Sequence, residues 1–147
     1  MTASLDDGAE NYLVLQRKGQ LFPAVTLAAY RLHRHAVWRD RAAVDPTMAL
    51  NALEDVVVQA TFFGDEKLNV MLENLLTTAK SFVDAVRVIQ VSSRPGFGDT
   101  VQEPHRGDDD AARRKLQNTI EGFVTIARAD LRIEGRWRSA LSDPLAM

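Results

Sequence analysis

Arg31, Arg34, Trp38 and Arg41 follow one another at intervals of three, four and three residues. That spacing gathers side chains on one face of an α-helix. Guanidinium forks grip phosphates and aromatic rings stack on bases, so a helix carrying these four residues, with Tyr30 beside them, could hold a nucleic acid or another polyanion. The same residue types dominate protein–protein interfaces. A net charge of −2 weighs against dedicated DNA binding. The order of expectation is therefore a solvated face paired with acidic neighbours, then a protein partner, then a polyanion.

Other chemistries find less support. The chain has no cysteine, which removes disulfides, thiolate metal sites and thiol nucleophiles. A carboxylate-bridged di-iron bundle needs Glu-x-x-His, and no glutamate here has a histidine three residues on. His33 and His35 sit two apart, about 200° around a helix axis, and cannot chelate one ion together. His35 falls on an apolar stripe and reads as a buried, hydrogen-bonded or interface histidine and not as a ligand. Gly96-Phe97-Gly98 opens like a dinucleotide fingerprint, but Val101 stands where the third glycine belongs and no strand precedes it. We expect no catalytic residue, no metal and no cofactor.

Phe97 is the remaining candidate. It is the one bulky residue in an irregular stretch, Ser92 to Gly107, which holds Pro95, Gly96, Gly98, Pro104 and Gly107. A segment this long without periodicity is functional or disordered. The expectation is a mobile loop in which Phe97 plugs the end of the fold or docks into a partner, and whose replacement over 98–106 by a short linker barely alters the melting temperature.

The elements that must position these residues are helices. Leu68, Leu72, Leu75, Ala79, Phe82, Val86 and Ile89 recur at alternating intervals of four and three, a single apolar stripe. Gly64 ends the preceding helix and Asp65 caps this one. Ala49, Leu53, Val56, Ala60 and Phe63 repeat the pattern after Asp45-Pro46, with aspartate as cap and proline in the first turn. Leu21, Val25, Ala28, Leu32 and His35 make another stripe, with a break expected near Gly19 and Pro23. Leu116, Ile120, Phe123, Ala127 and Leu131 make the last, ending near Gly135, after which Trp137 and Leu141 could pack back as one more turn.

The fold expected is an all-α four-helix bundle, one domain over 1–147, with helices near 20–43, 46–62, 65–91 and 109–133, an N-terminal arm and a C-terminal tail. The 147 residues suffice for a core of their own. The first twenty residues hold no long apolar run and no 18-residue apolar stretch occurs anywhere, so neither a signal peptide nor a membrane span is expected and the location read from them is cytoplasmic. Fourteen of the 18 basic residues are arginine, which with abundant alanine suggests a GC-rich bacterial genome. Val57, Met71, Leu76, Val83, Val88, Ile126 and Ile133 lie off the stripes; they complete the core or form a patch for association. The functional expectation is a non-catalytic, self-associating protein–protein interaction module or small subunit of a larger assembly. The alternative is a polyanion-binding helical protein using Arg31 to Arg41.

Overall fold

The computed structural model describes residues 3–133 and 135, with side chains from Tyr12 onward. Helix α1 runs Ala3–His33, α2 Thr47–Thr61, α3 Glu66–Ser92 and α4 His105–Asp130. Between α1 and α2 lies a two-residue-per-strand hairpin, β1 Trp38–Arg39 against β2 Ala42–Ala43. The helices form an up-down-up-down bundle: α3 packs on α2 and α4, and α1 closes the ring against both α2 and α4. Among the described residues, no helix is long and apolar enough to cross a membrane.

The stripe read from the sequence forms the centre. Leu68, Leu72, Leu75, Ala79, Phe82, Val86 and Ile89 are all buried on α3. The Asp65 carboxylate accepts the Leu68 N–H at 2.8 Å, so the helix starts where its cap predicts. At the other end the Ser93 N–H and hydroxyl both donate to the Ile89 carbonyl, at 3.0 and 2.7 Å. From α4, Leu116, Ile120, Phe123 and Ala127 meet this face. From α1, Phe22 crosses Phe123 edge to face, with ring centres 6.0 Å apart. In α2 the buried row is Leu53, Val57 and Ala60, with Val56 at its margin. Of the residues off the predicted stripes, Val57 and Val83 complete the core, whereas Val88 and Ile133 are exposed.

Three boundaries differ from expectation. First, α1 does not break at Gly19 or Pro23 but continues through both, so the expected N-terminal arm is part of the first helix. A mid-helix proline costs about 3 kcal/mol. Burying Phe22, Val25 and Leu32 returns roughly 1.5–3 kcal/mol each, and all three are at most 2% exposed. Packing outweighs the local penalty, and Pro23 itself faces solvent. Second, α1 stops at His33 instead of continuing to residue 43, because Val37 and Trp38 turn inward to roof the bundle and carry the chain into the hairpin. Third, α4 begins at His105, not 109, shortening the irregular segment to 93–104. Gly135 has a φ of +95°, but α4 has already ended at Asp130. Trp137 and Leu141 lie outside the described residues.

Candidate interaction surfaces

The four residues expected on one helical face do not share it. Arg31 is exposed on the last turn of α1, and Arg34 is exposed just beyond that helix. Trp38 sits in β1 with 6% of its surface exposed, its ring committed to the core. Arg41 lies in the hairpin turn at a φ of +68° and donates to the Gly96 carbonyl at 2.7 Å. The periodicity that groups them in the sequence continues past the end of the helix by coincidence. His35, also expected on the α1 stripe, lies beyond the helix, where its Nε2 is 2.8 Å from the Val44 carbonyl.

The hairpin and the segment 93–104 build one end of the bundle together. The turn carries two non-glycine residues at positive φ, Asp40 at +51° and Arg41 at +68°. The Asp99 carboxylate bridges their two N–H groups at 3.0 and 2.9 Å. Asp99 is itself at +61° and follows Gly98 at +67°. Left-handed backbone at three side-chain-bearing residues is costly and persists only where surrounding bonds impose it. Here the Gly96 N–H donates to the Thr100 carbonyl at 2.8 Å, and Pro95 bridges Val101. The Gln90 amide ties the base of the hairpin, donating to the carbonyls of Val37 and Val44 at 3.1 and 2.8 Å. Phe97 stands on this platform 98% exposed. It does not plug the bundle.

Beneath the hairpin lies the main charged cluster of the interior. Asp109, near the start of α4, is buried, and its carboxylate accepts both its bonds, 3.0 and 3.1 Å, from the Arg113 Nε. Arg113 also donates to the His33 carbonyl at 2.7 Å and lies over the Phe82 ring, 5.1 Å from its centre. Burial, reinforced by the nearby Arg113 charge, holds the His33 imidazole below its ordinary pKa of 6.5. Near the hairpin, Thr47 donates through both its hydroxyl and its N–H to Asp45, which keeps that carboxyl below its usual range. Asp45 is not the cap expected of it: α2 begins at Thr47 with Pro46 at its N-cap position and no side-chain cap bond, and the Asp45 carboxylate instead holds Thr47 across the proline.

Among the described residues, two apolar surfaces near α1 lie open to solvent. One is a groove of about 360 Å³ between α1 and α4, bordered by Phe22, Leu27, Tyr30, Val124, Leu131 and Ile133. The other is the outer part of α1. Lys18 pairs with Asp130, the last residue of α4, at 2.8 Å, and Arg17 and Leu21 border the turn between α2 and α3 in a recess of about 420 Å³ with Gln59, Phe62 and Phe63. Residues 3–17 therefore pass beyond the ends of the neighbouring helices, about 22 Å at 1.5 Å per residue. Tyr12 and Leu13, on that extension, are 68% and 60% exposed. Comparison of the chain with protein families, curated proteins and solved structures finds no match.

Proposed function

We propose that this chain is a non-catalytic, self-associating helical interaction module, the small subunit of a larger assembly. The observation that carries the reading is apolar surface left bare: Tyr12 and Leu13 on the α1 extension, and Phe62 at its base. Single exposed apolar residues are ordinary, but contiguous ones mark interfaces. The interior cluster of Asp109, Arg113 and His33 is bonded to itself and to backbone, as a structural network would be. Sedimentation of the full chain over a wide concentration range tests the proposal. A weight-average mass rising well above the 16.4 kDa of one chain is expected. A constant 16.4 kDa up to high micromolar concentration overturns self-association.

A polyanion remains the second reading, because Arg31, Arg34 and Arg39 are exposed and form no salt bridge among the described residues. It predicts binding to short nucleic-acid probes that weakens steeply with salt and is lost in Arg31→Glu/Arg34→Glu. Binding that is absent, or indifferent to salt, removes it.

A further inference from the structure

We infer that the groove between α1 and α4 is a docking site for the chain's own segment 136–147, with Trp137 as the side chain that fills it. That segment lies outside the described residues. What points to it is the shape of the groove and the way the chain arrives there. At about 360 Å³, the groove is at the small end of the roughly 300–1,000 Å³ usual for ligand pockets. It suits one or two large side chains and not a second helix. Leu27 and Ile133 on its border are 47% and 48% exposed, whereas Phe22 and Val124 beside them are buried.

The end of α4 delivers the chain to this place. The Ile133 N–H donates to the Arg128 carbonyl at 2.9 Å, and the Arg132 N–H to the Ala129 carbonyl at 3.1 Å. Arg132 is left-handed, with a φ of +58°. These two bonds make a Schellman ending, which brings the second residue past the helix back against its own last turn. Ile133 accordingly borders the groove together with Ala127 and Arg128. Glycine is the usual residue at the left-handed position. A residue with a side chain keeps that backbone only where its surroundings hold it, and docking of the residues that follow supplies such a hold.

Chemistry selects the occupant. Trp137 is four residues beyond Ile133, a reach of at most about 14 Å. Gly135, at a φ of +95°, bends the chain within that distance. Leu141, Leu145 and Met147 follow. A large aromatic side chain buries about 150–250 Å², and the indole N–H is a donor only. The Thr26 hydroxyl in the groove already donates to the Phe22 carbonyl at 3.0 Å, so it meets a newcomer as an acceptor. A tethered side chain has an effective concentration in the millimolar range. Segment 136–147 is thus the groove's resident competitor, and an outside apolar ligand gains entry only by displacing it. The docking needs no second copy of the chain.

Fluorescence tests this in the full chain. The other tryptophan is Trp38, so Trp38→Phe leaves Trp137 as the sole reporter. Its emission is expected to be blue-shifted from that of the unfolded chain and quenched several-fold less by acrylamide, at every protein concentration. Leu27→Asp should remove both effects while far-UV circular dichroism stays unchanged. Trp137 equally open to acrylamide in the folded and unfolded chain overturns the proposal. So does protection that survives Leu27→Asp or fades on dilution. Should Trp38→Phe fail to fold, the absence of natural cysteine gives a second probe. In the otherwise natural chain, a short bis-maleimide is expected to join Ser139→Cys to Pro23→Cys, which lines the groove. It should not join Ser139→Cys to Val88→Cys, exposed near the far end of α3. No joining, or equal joining to both, overturns the assignment.

Discussion

A single carboxylate oxygen fixes where α3 begins. Asp65 supplies the acceptor that an orphan N–H at the helix start requires, and Asp65→Ala is expected to lower stability by about 1 kcal/mol, read from the denaturant midpoint. Arg113 is a heavier case. It satisfies a buried carboxylate, a carbonyl at the end of α1 and a ring face together. Arg113→Met should cost about 2 kcal/mol, because Asp109 is left buried without its partner; adding Asp109→Ala should recover a large part of that loss. His33 predicts a pH effect with a definite sign. Its folded-state pKa lies below 6.5, so the unfolded chain binds the proton first and stability falls as pH drops from about 6.5 through the folded value. His33→Gln should flatten the stability profile in that window; an unchanged slope would mean that another group governs it. Asp65 was legible in the sequence because a cap acts on a neighbour three residues away. Asp109 was not: a triplet of aspartates gives no sign of which one turns inward, and only the position of Arg113 against α1 decides it.

At the scale of elements, legibility follows whether the deciding interaction is local. The α3 stripe was read residue by residue because nothing interrupts it. In α2 the expected Val56 gives way to Val57 as the buried residue, a shift of one position that either spacing along Leu53 and Ala60 permits. The end of α1 could not be read. Its hairpin turn uses Asp40 and Arg41 where glycine or asparagine would have signalled it, and the group that holds the turn, Asp99, lies 59 residues from Asp40. The four-residue candidate face dissolved for the same reason. Asp99→Ala should cost about 1–2 kcal/mol by leaving two turn N–H groups without their acceptor. Replacing 98–106 is no longer expected to be neutral, since it removes Asp99 and the first residues of α4 together. Pro23 offers the opposite test: it is exposed inside a helix it disfavours, and Pro23→Ala should raise stability by about 2 kcal/mol, visible as a higher melting temperature.

Over the whole molecule, the all-α bundle was legible because four amphipathic stretches leave few other ways to bury their stripes. What no stripe could reveal is that the first helix outruns the other three, since that depends on where α4 ends relative to Lys18. The ring order of the bundle has a consequence in time. Every helix touches its neighbour in sequence, and the seam between α1 and α4 joins the two helices that lie farthest apart in the chain. Local contacts close at small entropic cost, so such topologies fold fast. Contacts of α3 with α2 and α4 can therefore form early, while Phe22 meets Phe123 only when the seam shuts. Phe82→Leu is then expected to slow folding, whereas Phe22→Leu leaves the folding rate nearly untouched and speeds unfolding. Stopped-flow rates that fall equally for both would place the seam inside the transition state. If the seam closes last, it is also the first to open, and α1 can swing away from a three-helix remainder long before the protein as a whole unfolds.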